Sequence, residues 1–258
     1  MRFGKGQPAW RRWTLSLSAV AVTGTVLSGA MAAVAYAAPA QPAASAKAAA
    51  TGYTPASRTL KMGMRGSDIK RLQQRLEQLG YYPGKIDGVF GMNTEEAVWA
   101  FQEVQGLHAS GMITWPVEKA LVYPKAPKAL VPRGGSTRVE ISLGRRVLYV
   151  YHSNRIILIS HISSGGGYYY CSNNGCAYAH TPTGNFRTLW RVNGWHTSPL
   201  GQMYNPVFFY SGYAVHGDTY VPLNPVSHGC VRIPMDVASI YPGLVPRSGI
   251  PVYVRASG

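Results

Sequence analysis

The residues best suited to chemistry lie in one short stretch, 214–234, AVHGDTYVPLNPVSHGCVRIP. It holds two histidines, His216 and His228, and one cysteine, Cys230. A thiol attacks a carbonyl as the thiolate, so a catalytic cysteine needs a base nearby. His216 closes an apolar run that predicts a strand, and Cys230 follows in a predicted loop that returns past it. We therefore expect Cys230 to be a nucleophile and His216 its general base.

The neighbours of the thiol fit acyl transfer. Gly229 allows a tight turn, so that the N–H groups of Gly229 and Cys230 can point at an oxyanion. The guanidinium of Arg232 can hold a substrate carboxylate through two parallel hydrogen bonds. Pro234 predicts the start of a short helix, 235–241, whose N-terminal end favours negative charge near the thiol.

Three other interpretations compete with this one. Cys230 can be a small buried residue among structural histidines. A zinc peptidase would use His216, Asp218 and His228, and it predicts sensitivity to chelators. A noncatalytic binding protein predicts that replacing Cys230 changes nothing.

The order of these residues resembles a family signature. His216-Gly217, then SHGC, then one apolar residue and Arg232, is similar to the motif of the L,D-transpeptidases, the cysteine acyltransferases of bacterial walls. The TPTG segment at 181–184, with Phe186 after it, resembles the border of the cleft in that family. The resemblance covers about residues 137 to 256.

The resemblance also implies roles and a reaction. It makes Cys230 the nucleophile and His216 the base, and it implies an oxyanion hole in the backbone around His228 and Gly229. It assigns substrate binding to Gly217, Ser227 and Arg232. The implied reaction takes a tetrapeptide stem, forms a thioester with loss of D-alanine, and passes the acyl group to an amine of a second stem. Water in place of the amine would give an L,D-carboxypeptidase, and we expect no cofactor and no metal.

The charge balance indicates the kind of partner. The 258 residues include 25 Lys and Arg against 10 Asp and Glu, a net charge of +15. A basic surface suits nucleic acid, anionic lipid or an acidic wall polymer. No segment predicts a nucleic-acid module, so we expect peptidoglycan as the partner.

Two of the three cysteines predict a hairpin. Cys171 and Cys176 flank Ser-Asn-Asn-Gly, a turn sequence between two aromatic runs. Opposite residues of an antiparallel pair are close enough for a disulfide, which we expect here together with an oxidising compartment. A metal site that adds His161 or His180 is the alternative. The same pattern leaves open whether this hairpin is a lid or an exposed edge.

The N-terminus predicts secretion. Residues 1–37 have a basic start, a long apolar stretch and an Ala-Tyr-Ala end, which is typical of a cleaved signal peptide. A retained transmembrane anchor is the alternative, because about 20 apolar residues span a bilayer. Residues 38–57 are an Ala- and Pro-rich linker. We expect an extracytoplasmic wall protein without membrane contact after cleavage.

Residues 58–122 predict a small domain of three helices. Ile69, Leu72 and Leu76 recur at helical spacing in the first, and glycines stop the first two. The string from Arg65 to Leu107 resembles the type-one peptidoglycan-binding domain, which implies noncovalent contact with the wall, with the loop 87–91 as a place for it.

The C-terminal part predicts a mainly β domain. A second linker, 123–136, precedes it, and the domain covers 137–256. Short alternating segments separated by Gly and Pro turns favour a β-sandwich or a partly closed barrel. We expect strands at 138–143, 146–151, 155–160, 185–192, 207–210, 213–216 and 251–255.

Overall fold

The computed structural model describes residues 52–172, 175–246 and 248–257. The predicted signal segment, 1–37, lies outside these residues, as does all but the end of the first linker. Within them, no helix is both long enough and apolar enough to cross a bilayer.

Three helices open the described chain: α1 Ser67–Gln78, α2 Met92–Gln105 and α3 Trp115–Val122. The apolar residues of α1 that recur at helical spacing are buried, as their periodicity predicts. Helix α2 ends at Gly106, whose φ of 71° is left-handed and costs a glycine little. The predicted three-helix domain is confirmed.

The rest of the chain is mainly β. Its strands are β1 Arg138–Ser142, β2 Val147–His152, β3 Arg155–His161, β4 Tyr169–Ser172, β5 Gly175–Tyr178, β6 Gly184–Arg187, β7 Trp195–Ser198, β8 Gly201–Tyr210, β9 Tyr213–Asp218, β10 Val231–Pro234 and β11 Pro251–Arg255. One further helix, α4 Met235–Leu244, follows β10 directly.

The strands form two open sheets and a separate hairpin. The first sheet has the order β3-β2-β1-β11-β6 and the second β10-β9-β8-β7, while β4 pairs with β5. Apolar side chains of both larger sheets and of α4 form one core, with Val139, Val207, Val215 and Val231 among them. The predicted mainly β sandwich is confirmed, and among the described strands no barrel closes.

The helical domain packs on the outer face of the first sheet. Alternate residues of β2 and β3, such as Tyr149 and Ile159, belong to the same core as the helices. The backbone joins there too, since the Ile159 N–H donates to the Gly80 carbonyl at 2.8 Å. Arg146 forms an ion pair with Glu103 across this contact. Both faces of β2 are therefore buried over most of its length.

The segment between the helices and β1 is held at two points. The Gln105 side chain brackets Lys125, accepting from its N–H at 2.8 Å. The buried Glu140 carboxylate accepts from the Leu130 N–H at 2.7 Å and from the guanidinium of Arg138 at 2.7 Å. Residues 123–136 thus pack along the protein although their composition is that of a linker.

Some strand predictions were wrong. The strand expected at 185–192 ends at Arg187, because the chain then leaves β11 and the Leu189 N–H donates to the Phe208 carbonyl of β8. Strands β7 and β10 were missed, and β8 starts six residues before the predicted start at Val207.

Candidate active site

Two parallel strands place the histidine and the cysteine on one surface. In the pairing of β9 with β10, His216 lies opposite Arg232. Val215 and Val231 point into the core between the sheets. Because side chains alternate along a strand, His216, Arg232 and Cys230 all face the outer side of the second sheet.

The imidazole of His216 is fixed by its own strand. Its Nδ1 lies 2.9 Å from the carbonyl oxygen of Gly217, so Nδ1 carries the proton and Nε2 keeps its lone pair. His216 is buried, and burial lowers its pKa below the ordinary value, while the Gly217 carbonyl and the Asp218 charge act in the opposite direction.

The thiol of Cys230 is half-buried above a small apolar cluster of Met203, Phe208 and Ala214. Its Sγ donates to the Gly212 carbonyl at 3.8 Å. Burial raises the pKa of the thiol above its ordinary value, although a backbone hydrogen bond from Ala214 and the charge of Arg232 act to lower it. Burial therefore disfavours the charged form of both groups, the thiolate and the imidazolium.

Two hydroxyl groups hold the loop that carries the thiol. The Ser227 hydroxyl accepts from the Gly229 N–H at 3.0 Å and donates to the Cys230 carbonyl at 2.6 Å. The Thr181 hydroxyl donates to the Gly229 carbonyl at 2.7 Å and accepts from the Gly165 N–H at 2.9 Å. The first Thr of the TPTG segment thus supports the nucleophile loop from below.

Gly229 is required by this packing. Its φ is 142°, and an added Cβ would lie 2.6 Å from the Tyr213 ring and 2.7 Å from the His180 carbonyl oxygen. Both contacts are far shorter than real Cβ contacts, and the second is to rigid backbone. Any side chain there would displace the loop, and with it the thiol.

One expected oxyanion donor is already engaged. The Gly229 N–H points to the Ser227 hydroxyl, so in this structure it does not face the cleft. The backbone hydrogen bonds of the described turns and loops include none donated by the N–H of His228 or Cys230. These two N–H groups are therefore the candidates for an oxyanion hole.

The residues expected to bind substrate separate into two groups. Arg232 lines the cleft, with its Nε 3.2 Å from the Asp218 carboxylate and one terminal nitrogen donating to the Tyr220 carbonyl at 3.4 Å. The hydroxyl of Ser227 is consumed inside the loop. Gly217 faces α4, since a Cβ there would lie 2.6 Å from the Cβ of Ala238. Ser227 nevertheless lines the cleft together with Arg232, whereas Gly217 is not among the lining residues.

The site opens into a cleft of about 590 Å³. One wall is the β4–β5 hairpin, in which a disulfide joins Cys171 to Cys176. The opposite wall is the β7–β8 hairpin with the turn between its strands. The sequence left open whether the β4–β5 hairpin is a lid or an exposed edge, and in the structure it forms one side of the cleft. Its Tyr170 ring lies against the ring of His228 at a centroid distance of 4.6 Å.

Sequence reasoning missed the floor of the cleft. Trp190 stacks on Phe208 with ring centroids 3.6 Å apart, and His196 meets both rings edge-on. These residues lie in irregular or β segments far from the motif, and only an unusual density of aromatic residues marks them. The Gly212 carbonyl, which accepts the hydrogen bond of the Cys230 thiol, is a backbone group, so no residue type in the sequence indicates it.

The zinc alternative requires a cluster of metal-ligating side chains in the same region. In the described ranges, no group of three or more His, Cys, Asp and Glu side chains is arranged to hold a metal ion. His216, Asp218 and His228, the set of the zinc alternative, do not form such a group, and Asp218 pairs with Arg232 instead.

The fold and the cleft define a two-part protein, in which a helical module packs on a β domain with a cysteine-bearing cleft. Residues 65–121 match the family model of a putative peptidoglycan binding domain, and residues 136–254 match that of the L,D-transpeptidase catalytic domain. The crystal structure of an L,D-transpeptidase from Xylanimonas cellulosilytica is 34% identical, covers 78% of this chain and 100% of its own, and superimposes with a TM-score of 0.72. The chain belongs to the L,D-transpeptidase family.

Curated relatives are similar over shorter stretches. A spore cortex-lytic enzyme from Bacillus cereus is 37% identical over 82 residues, which is 31% of this chain and 32% of the relative. An N-acetylmuramoyl-L-alanine amidase from Mycobacterium tuberculosis is 45% identical over 47 residues, 18% of this chain and 12% of the relative. The chain thus spans about a third or less of the curated relatives it matches.

Proposed function

We propose that this protein is a wall-directed L,D-transpeptidase in which Cys230 attacks the stem peptide and His216 moves the protons. The observation that carries the proposal is the shared surface of the two groups. His216 of β9 and Cys230, which directly precedes β10, face the same side of the sheet and line one cleft. The fixed tautomer adds to it, because Nε2 of His216 is the nitrogen left to accept a proton.

Acylation begins from the neutral pair. The thiol gives up its hydrogen bond to Gly212 and passes its proton to Nε2 of His216 as sulfur attacks the carbonyl of the third stem residue. Both groups favour their neutral forms, so the charge-separated state is costly before substrate arrives. The reacting carbonyl stabilises it by taking up the negative charge.

The oxyanion then forms beside the nucleophile loop. The N–H groups of Cys230 and His228 supply its donors, since the Gly229 N–H is engaged by Ser227. The tetrahedral intermediate collapses when the C–N bond breaks and His216 returns the proton to the departing D-alanine amine. A thioester on Cys230 remains, and Arg232 holds a carboxylate of the bound stem.

The second half of the reaction decides the product. An amine from another stem attacks the thioester and gives a cross-link between two third residues, while water gives a trimmed stem. The helical module keeps the enzyme on peptidoglycan, and the disulfide of the β4–β5 hairpin fits an oxidising compartment outside the cytoplasm.

Product analysis tests the proposal. Tetrapeptide muropeptides are incubated with the protein and with Cys230→Ala, and D-alanine and product masses are recorded. We expect wild type to release D-alanine and form dimers, and the variant to do neither. Trimmed monomers alone would assign carboxypeptidase activity. If neither protein reacts but both sediment with sacculi, a noncatalytic wall-binding protein remains.

A further inference from the structure

The β4–β5 hairpin has a second face that the proposed reaction does not use. Side chains alternate along its strands, so Tyr170, Ser172 and Ala177 face the cleft. Tyr169 and Tyr178 pair across the opposite face with ring centroids 5.0 Å apart. The ring of His180 continues the row, stacked on Tyr178 at 6.2 Å. We call these three rings the outer aromatic row.

The outer aromatic row is open to solvent. Tyr169 is 82% exposed and Tyr178 46%, and His180 is exposed as well. Aromatic residues are enriched at binding interfaces, and a contiguous group of exposed rings is more typical of a binding surface than single exposed rings are.

The row is also held rigid. The disulfide joins the strands at Cys171 and Cys176, the pair two residues along from Tyr169 and Tyr178 and on the same face. His180 is fixed in addition by the contact of its Nδ1 with the Tyr178 carbonyl at 3.1 Å. A rigid row of rings loses little conformational entropy on binding, so it is preorganised for a flat, stiff ligand.

The thickness of the hairpin suggests which ligand this is. Its inner face lies beside the nucleophile loop, where Tyr170 contacts the ring of His228 at 4.6 Å. Packed sheets lie about 10 Å apart, so side chains on the two faces of one hairpin end roughly that far apart. Three extended residues also span about 10 Å. When the third residue of a stem lies at Cys230, the attachment point of that stem can therefore reach the outer face. Cys176 lies on the face of the outer aromatic row and also lines the cleft. The stem peptide would therefore pass from the cleft to the row beside Cys176.

From this geometry we propose that the outer aromatic row binds the sugar that carries the donor stem. Pyranose rings present flat C–H faces that pack on the electron-rich face of an aromatic ring. The cleft then holds the peptide and the row holds the glycan of one substrate. This inference rests on the proposed function, because it takes the stem to react at Cys230.

Acylation rates test the row against a substrate without sugar. The rate at which Cys230 gains acyl mass is measured below saturation for a disaccharide-tetrapeptide and for the free tetrapeptide. We expect wild type to prefer the disaccharide form, and Tyr169→Ala to lower that preference by about three- to tenfold. Tyr169→Phe keeps the ring and should keep the preference. Tyr123→Ala is the matched control, since Tyr123 is 71% exposed and lies at the end of α3. A preference unchanged in Tyr169→Ala would overturn the inference.

A binding measurement separates this inference from the proposed function. In Cys230→Ala, which forms no thioester, the disaccharide alone is titrated while the ring signals of Tyr169 and Tyr178 are followed by NMR. We expect both signals to shift, and shifts confined to the helical domain would overturn the inference. Failure of wild type to be acylated by either substrate would instead refute the proposed function, and the titration would still decide whether the row binds sugar.

Discussion

The support beneath the nucleophile loop can be removed with one substitution, Thr181→Val. Valine has nearly the same shape but no hydroxyl, so the Gly229 carbonyl loses the donor at 2.7 Å and the Gly165 N–H loses the acceptor at 2.9 Å. The first of these groups is buried and the second partly buried. An unmet buried polar group costs about 1–3 kcal/mol, so the two together should cost about 3 kcal/mol of unfolding free energy.

Thermal unfolding and acylation kinetics measure the two consequences of Thr181→Val. For a protein of this size, about 3 kcal/mol corresponds to a fall in Tm of about 6–12 °C. The thiol should also lose its position, and a displacement of about 1 Å costs about a hundredfold in rate. Thr181→Ser keeps the hydroxyl and is the matched control. Equal Tm and equal acylation rates for the Val and Ser variants would refute the account of this loop.

Three further predictions concern the charges and the wall of the cleft. Burial raises the pKa of the Cys230 thiol, so the rate of its alkylation in the free protein should rise with pH only above the ordinary thiol pKa. Fast alkylation at pH 6 would instead indicate an ion pair of thiolate and imidazolium in the free protein. Burial lowers the pKa of His216, and the charge of Asp218 partly offsets this effect. Asp218→Asn should therefore lower the pKa of His216 further and move the acid limb of the pH–rate profile to lower pH. A move to higher pH would contradict this prediction. Reduction of the β4–β5 disulfide by a dithiol should weaken substrate binding, read as a higher KM with the thiol of Cys230 intact by mass; an unchanged KM would mean that the hairpin keeps its form without the bond.

Local patterns predicted most of the fold. Helix α1 followed from the spacing of its leucines, and the β4–β5 hairpin from a turn sequence between aromatic runs. Strand β10 could not be predicted in this way, because it has four residues, ends in Pro234, and exists through parallel pairing with β9. Strand β7 is similarly short, and its pairing with β8 is a contact that local propensity does not encode.

The residue types of the candidate site could be predicted from the sequence, but the hydrogen bonds that these residues make could not. The motif identified His216 and Cys230, and the structure brings them to one face. It did not reveal that the Gly229 N–H is engaged by Ser227, or that the thiol donates to the Gly212 carbonyl. Both are backbone contacts that depend on loop geometry. The packing of the helical domain on β2 and β3 could not be predicted either, because apolar residues in a sequence do not indicate which other element they will contact.

The central claim is that Cys230 becomes acylated by a stem peptide with His216 as its base. Intact mass after rapid quenching, followed by peptide mapping, tests it most directly for wild type, His216→Gln and Cys230→Ala. The account predicts a wild-type adduct equal to the tetrapeptide minus D-alanine, mapped to Cys230, formed far more slowly in His216→Gln and absent in Cys230→Ala. An adduct on another residue, or one that forms equally fast without the imidazole, would contradict it.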